Sequence, residues 1–523
     1  MSDTPEPRAR LAEILASLSL GIDLGFGQPM EHVLRQCRIA MRLCDAIGVD
    51  EDTRVAAYYS ALLVNAGCHT DAHEQVQWFG DDIALKTMKY ADSSSKLEEV
   101  TRMLRMLGAG QPPLHRLRTG LAFALGGHRE VEAMMAQHAQ RARSLADELG
   151  LDAPVLEALA SSYERWDAKG FPGEVGGSDI PLAARIIQVA EFVEVAHRTG
   201  GVDAAIEVAQ RGASSQFDPN VVALLAAEPE KVFDGLDEVG SFGAVVDQEP
   251  GLRVMAEAEL DAALAAVARY VDAKVPFTLG HSEALTELTT AAADHLGFDV
   301  ADRRTVRRAA TTAAFGRLGV SNAIWGKPAP LTVAEWERVR LAPQLAERML
   351  RQCEALRPVA AAVGQMRECL DGSGYPAGLA GAAITPVARL LSAADRYQSM
   401  LEPRPYRDAR SAADAARALR DGSAAGHVDA ACVDAVLHAA GHRTRRRRAN
   451  VAGLTNREVE VLVLAASGLS NKEIAKRLVL TPKTVGNHIE HIYTKIGETS
   501  RAGAALFAMR HGLAATADQQ AAD

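Results

Sequence analysis

Two stretches of this chain match without gaps at a fixed distance of 204 residues. GFPGEVGGSDIPLAARIIQVAE begins at Gly170 and GYPAGLAGAAITPVARLLSAAD begins at Gly374. Both set an aromatic–Pro pair after a glycine, then an isoleucine, an arginine and an acidic residue at matched positions. Upstream, Trp166 to Gly170 (WDAKG) corresponds to Leu370 to Gly374 (LDGSG). A self-match of this length means that the chain holds two copies of one domain. The flanks carry Ala, Leu, Arg and Glu at helical period, so each copy reads as a bundle of helices.

Composition agrees with that reading. The 523 residues are 48% hydrophobic, 24% charged and only 5% aromatic, the balance of a soluble, helix-rich protein. No apolar stretch approaches the roughly 18 residues that cross a bilayer. The N-terminus, MSDTPEPRAR, does not read as a secretory signal. The six cysteines have no CxxC spacing, which excludes a zinc ribbon or a disulfide scaffold. The expectation is a cytoplasmic protein with no membrane partner.

Charge divides the chain more sharply. The formal net charge is −10, yet residues 441–513 hold 13 Lys+Arg against 5 Asp+Glu, and residues 1–440 hold 44 against 60. A basic end on an acidic body is expected where only that end meets phosphate. The run Arg443 to Arg448 at the boundary reads either as a solvated linker or as an arm on the DNA backbone.

The basic end announces four short helices. Thr455 precedes Glu458 by three residues and Ser470 precedes Glu473 by three, two capping boxes. Thr481 and Pro482 open a third helix, Gly497 closes it, and Ser500 caps a fourth. Val459, Leu462, Val463 and Ala466 form one buried stripe; Val485, Ile489, Ile492 and Ile496 form another. The free face of the third helix carries Lys483, Gly486, Asn487, Glu490 and Thr494, with Thr484, His488 and His491 at its margins. Short and hydrogen-bonding side chains near a helix N-terminus suit a major groove. Lys472, Lys476 and Arg477 on the preceding helix would grip the backbone.

The blocks REVEVL, GLSNKEIA, KTV, NHI and SRA between Leu454 and Leu513 closely resemble the LuxR-type helix-turn-helix domain. The resemblance implies that Pro482 to Lys495 is the recognition helix and that a homodimer binds double-stranded DNA. It also implies dimerisation through Ala502, Ala505, Leu506 and Met509. The expected DNA-binding residues are Lys472, Lys476, Arg477, Thr481, Lys483, Thr484, Gly486, Asn487, His488, Glu490, His491 and Lys495. Gly486 and Glu490 stand where relatives often carry long base-contacting side chains.

In the body, ERWDAKGFP, DGSGYP, GRLGVSNAIWGKPAPLT and PRPYR resemble the HD-GYP branch of the HD phosphohydrolases. That family binds two or three metals in a helical bundle and hydrolyses cyclic di-GMP. Position by position, most ligands are replaced. In the first copy His32 stands at the first ligand and His138 at a later one, but the His-Asp pair falls on Val64-Asn65. The lysine falls on Cys68, the histidine pair on Ser162-Tyr163 and the later aspartate on Glu191. In the second copy His281 and Asp395 remain, while the pair falls on Ala313-Ala314, the lysine on Arg317, a histidine on Ala342 and the histidine pair on Met366-Arg367. Apolar side chains do not replace nitrogen or oxygen ligands, so both copies read as catalytically degenerate.

A rescue is contained in CHTDAH. His69, Asp71 and His73, with His32 and His138, would rebuild one metal site in the first copy. Against it, the alternation fits a strand or loop, and histidines after a helix end also occur as surface groups. Arg165, Lys169, Arg185 and Arg389 would hold a small anionic ligand such as a cyclic dinucleotide, or serve as partners of Glu164, Asp167 or Asp371.

The expected architecture is all-α: two tandem HD-GYP-like bundles (28–225 and 278–440) followed by a four-helix LuxR-type domain (453–514). Residues 1–27 form an N-terminal segment, 226–277 a connector, 441–452 a basic linker and 515–523 a disordered tail. The expected function is a DNA-binding transcriptional regulator whose body is a sensor, a dimerisation region or both, with no catalytic residue and no cofactor. The alternative is a metal-dependent cyclic dinucleotide phosphodiesterase fused to a DNA-binding domain.

Overall fold

The computed structural model describes residues 8–90, 101, 105–109, 112–236, 241–441, 451–511 and 513. The basic run Arg443 to Arg448 and the tail 515–523 lie outside the described residues. Among those described there is no β-strand, only isolated bridges such as Arg10 with Val254. The fold is all-α, as the helical periods require. Two compact units divide the chain after Ala263, and Thr70–His73 groups with the second unit.

The principal helices of the first bundle are α1 (Leu11–Gly25), α2 (His32–Ile47), α3 (Glu51–Leu63), α4 (His128–Glu148), α5 (Ala153–Ala160) and α6 (Leu182–Gly212). Those of the second are α7 (Glu257–Ala273), α8 (His281–Leu296), α9 (Val300–Thr312), α10 (Ala342–Leu350), α11 (Arg357–Gly364), α12 (Pro386–Leu401) and α13 (Ala430–Ala440). The copies share their punctuation. Glu31 and Gly280, both at positive φ, precede the histidines that open α2 and α8. Gly48 and Gly297 end those helices in the left-handed region, where glycine carries no steric cost. Asp50 and Asp299 then cap α3 and α9, accepting from the amides of Thr53 and Asp302.

These matched pairs are 249 residues apart, not 204, so the first copy is 45 residues longer than the second in between. A close backbone approach common to both copies locates the excess. A Cβ on Gly67 would collide with the carbonyl oxygen of His138, and one on Gly316 with that of Ala342. Gly67 and Gly316 keep the longer spacing, whereas His138 and Ala342 keep the shorter. The extra residues therefore fall between Gly67 and His138.

The loops that betray the repeat are built alike. Glu164 accepts from the amides of Gly173 (3.1 Å) and Glu174 (2.9 Å), and Glu368 from those of Ala377 (2.7 Å) and Leu379 (2.9 Å). Both carboxylates are buried, and Phe171–Pro172 and Tyr375–Pro376 are both cis.

The stretch expected to be a connector is packed over its first half. Tyr58 Oη donates to the Val245 carbonyl (2.8 Å), Tyr59 Oη to buried Glu249 (2.8 Å), and Arg10 Nε to Glu249 (2.7 Å). Arg35, Arg38 and Arg42 donate to the carbonyls of Leu236, Gly235 and Val232. Its last part is α7, the counterpart of α1. Acidic, glycine-containing composition hid this, because the donors that order the stretch lie some 190 to 240 residues upstream.

In the basic end, α14 (Asn456–Ala466), α15 (Asn471–Leu478), α16 (Pro482–Ile496) and α17 (Arg501–Arg510) follow the expected signals. The Thr455–Glu458 and Ser470–Glu473 capping boxes form, and Thr481 and Ser500 accept from the amides of Thr484 and Gly503. Leu462, Val463, Ile474, Val485, Ile489 and Ile492 make the core.

Candidate functional site

On the helix-turn-helix, the core stripe leaves a polar face free. Lys472, Lys476, Arg477, Thr481, Lys483, Asn487, Glu490 and His491 are exposed, and Thr484, Gly486 and His488 are half-buried beside them. The first turn of α16 points its amides outward with Thr481 as cap, and an anion is favoured there. Lys495 is different: its Nζ is 2.7 Å and 2.8 Å from the two carboxylate oxygens of Glu458. Arg457 donates to the Leu478 carbonyl (2.6 Å) at the end of α15, and Arg501 to the Leu469 carbonyl and Asn471. Three charged residues of the quoted blocks thus tie helices together. Ala502, Ala505 and Met509, expected at a dimer face, are buried within the chain. Leu279, two residues before α8, packs against the helix-turn-helix core.

At the centre of the first bundle, His32 Nδ1 meets Glu194, which also accepts from Arg35 Nε (2.8 Å). Burial opposes charge on the imidazole, but Glu194 outweighs it and holds His32 above its ordinary pKa. Lys89 Nζ lies 2.6 Å from Glu191 Oε1 and 3.3 Å from Asn65 Oδ1. Tyr90 Oη donates to the same Glu191 oxygen (2.8 Å). Burial pushes the Glu191 carboxyl up, and the Lys89 ammonium more than reverses this, leaving it below the usual range. The ammonium also lies 5.0 Å from the Tyr163 ring centre and within 6.0 Å of Phe26, Tyr90 and Phe192, a cation–π setting.

The histidine-rich candidates do not converge there. His138 Nδ1 lies 3.2 Å from Cys68 Sγ, which is 2.9 Å from Tyr163 Oη. His69 is fully buried in a 3-10 turn, with Nδ1 3.3 Å from the Asn65 carbonyl. It lies in neither a strand nor a surface loop, because the turn packs against α4. Asp71 and His73 group with the second unit. Among the described residues no three His, Cys, Asp or Glu come together as a metal ion's ligands would.

In the second bundle, His281 bridges two carboxylates: Nε2 to Asp395 (3.2 Å) and Nδ1 to Glu402 (2.8 Å). Arg367 Nη2 lies 2.7 Å from Asp395 Oδ2. Burial alone would lower His281, yet Glu402 and Asp395 raise it to about 9. The imidazolium in turn holds Glu402, against its burial, at about 2. Asp23 and Asp272, matched acids at the ends of α1 and α7, accept from the amides of Val33 and Ser282. Burial pushes them up, to about 7 and about 6.

The loop arginines are engaged internally. Arg165 pairs with Asp167, Arg185 with Asp218 (2.5 Å) and Arg389 with Asp429 (3.4 Å). The last two acids lie beyond the loops and carry no local sequence signal. Lys89 and Tyr90 were also missed, since they fall in the stretch where the repeat changes register, and Glu194, since its partner position holds Gln398.

A model of the HD domain matches residues 128–221 and 265–432, together half of the chain. The chain belongs to the HD-domain family. A model of bacterial regulatory proteins of the luxR family matches residues 452–508 of this HD-domain protein. The 3'3'-cGAMP-specific phosphodiesterase 3 of Vibrio cholerae is 29% identical over 434 residues, spanning 82% of this chain and 94% of that one. A crystal structure of a cyclic GMP-AMP-specific phosphodiesterase from V. cholerae superposes with a TM-score of 0.59 at 25% identity, covering 84% of this chain and 99% of that one. The transcriptional regulatory protein LnrK of Bacillus subtilis is 45% identical over 60 residues, 12% of this chain and 27% of that protein.

Divalent metals are implied for an HD domain, and the residues present do not fit them. A divalent ion in the first bundle would have to share Glu191 with an ammonium 2.6 Å away, and like charges at that range repel strongly. In the second it would enter a group in which the Arg367 guanidinium already lies 2.7 Å from Asp395.

Proposed function

We propose that this HD-domain protein is a DNA-binding transcriptional regulator whose two bundles no longer hydrolyse and act as a sensor or dimerisation body. The observation that carries the reading is the exposed polar face of α15 and α16. It bears the exposed cations Lys472, Lys476, Arg477 and Lys483, unpaired among the described residues, on a helix-turn-helix that is otherwise closed by its own core. The replaced ligands of both bundles support the second half of the reading. DNA binds as a two-fold site under a homodimer, and Leu279, just ahead of α8, packs on the helix-turn-helix core, a contact through which a ligand could bias the DNA-binding domain.

Gel-shift titration of duplex fragments with the full chain tests the reading, with and without 3'3'-cGAMP or cyclic di-GMP. A salt-dependent shift whose affinity changes with a dinucleotide that is recovered intact is the expected result. The second reading, a cyclic dinucleotide phosphodiesterase fused to a DNA-binding domain, is favoured by the likeness to 94% of the V. cholerae enzyme. Product formation that stops on adding EDTA would establish it.

A further inference from the structure

The two bundles meet one electrostatic demand with different side chains. Glu191 and Asp395 stand 204 residues apart, at the same place in the repeat, and both carboxylates are buried. A buried carboxylate left without a counter-charge or enough hydrogen-bond donors is strongly disfavoured. In the first bundle the cation is the Lys89 ammonium, 2.6 Å from Glu191, delivered by the stretch between Gly67 and His138 that is 45 residues longer than its counterpart. In the second it is the Arg367 guanidinium, 2.7 Å from Asp395 Oδ2, with His281 Nε2 on the other oxygen at 3.2 Å. Arg367 occupies the repeat position of Tyr163, and Lys89 Nζ stands 5.0 Å from the Tyr163 ring centre. The two cations therefore serve equivalent carboxylates over equivalent ground, although they arrive from unrelated segments.

We propose that Lys89 and Arg367 are built-in cations that take the place of metal in their bundles, making the folded state independent of divalent ions. The inference deepens the non-hydrolytic reading and rests on it. The donor sets agree with a single positive charge: Lys89 has one carboxylate and one neutral amide oxygen, the remaining contacts being aromatic faces. In the second bundle Arg317 adds a further guanidinium, 3.8 Å from Asp272, so that region holds its own counter-charges. A tethered cation also leaves no open coordination position at which water could be activated.

Double-mutant cycles on the full chain, read by thermal unfolding with and without MnCl2, test this. Lys89→Met and Glu191→Gln should each lower the midpoint by roughly 5 °C or more, and the double variant should lose clearly less than their sum. Arg367→Met with Asp395→Asn should behave alike, and Lys89→Arg should keep most of the midpoint. Mn2+ should leave the wild type unmoved. Additive losses in both cycles would overturn the proposal, as would stoichiometric Mn2+ binding that raises the wild-type midpoint. If Lys89→Met does not fold, Lys89→Arg and the double variant still should; failure of both also overturns it. Hydrolysis of 3'3'-cGAMP alongside non-additive cycles would sink the non-hydrolytic reading alone, whereas additive cycles with inert protein would sink the built-in cations alone.

Discussion

Lys495 Nζ lies 2.7 Å from Glu458 Oε2, and this ion pair joins α16 to α14. Glu458 also accepts from the Thr455 amide (2.7 Å), so one carboxylate caps α14 and anchors α16. Lys495→Met should cost about 1 kcal/mol, discounted for the partly exposed ammonium, and should leave the salt slope of DNA binding unchanged. A slope reduced by about one unit would instead make Lys495 a phosphate contact.

The same pair sets a pH dependence. The hydrogen bond from Lys495, then the Thr455 cap, holds Glu458 at about 2 against an ordinary 4.5. A depressed carboxylate stabilises the fold fully above its ordinary value and loses that contribution as pH falls towards the folded one. The domain should therefore weaken progressively between about pH 4.5 and 2, and Glu458→Gln should remove that part of the acid sensitivity in circular-dichroism melts.

Gly67→Ala and Gly316→Ala should be among the most damaging small substitutions in the chain. Each Cβ would be driven into a carbonyl oxygen of a neighbouring helix, and backbone cannot swing aside as a side chain can. A loss on the order of 3 kcal/mol is expected at each, measurable by chemical denaturation. Gly48→Ala meets no neighbour and would cost only its left-handed strain.

Val479 caps the end of α15 at φ 54° and is 90% exposed. A β-branched residue gains nothing from that conformation, and the left-handed region costs it roughly 1–2 kcal/mol. Val479→Asn should raise stability by about 0.5–1 kcal/mol and leave DNA affinity within twofold. A destabilised variant would show that the exposed valine packs on something in the working complex.

Glu164→Gln and Glu368→Gln keep shape but weaken the acceptor for two loop amides apiece. Each should cost about 1–3 kcal/mol, and matching losses in the two copies would show that the loop survives as a structural element. Chemical denaturation of the full chain gives both values.

What could be read in advance follows the range of each interaction. The caps at Thr455, Ser470, Thr481 and Ser500 were legible because a cap is settled within three residues. The repeat exposed both loops because their spacing is kept. Lys89 was hidden: the repeat changes register between Gly67 and His138, and nothing local marks a lysine that will meet Glu191 about a hundred residues later. Likewise Asp218 and Asp429 gave no sign that they would engage Arg185 and Arg389. His69 looked like a surface or ligand histidine because alternation in sequence says nothing about a turn that folds it inward.

The central claim is that the basic end holds duplex DNA through the face of α15 and α16. Its most direct measurement is the salt dependence of full-chain binding to a duplex promoter fragment, for wild type, Lys476→Ala and Asn487→Ala. The account predicts a steep fall in affinity with salt, a slope smaller by about one unit and uniformly weaker binding for Lys476→Ala, and altered sequence preference for Asn487→Ala. Affinity that ignores salt, or a chain that shifts no duplex at low salt, would contradict it.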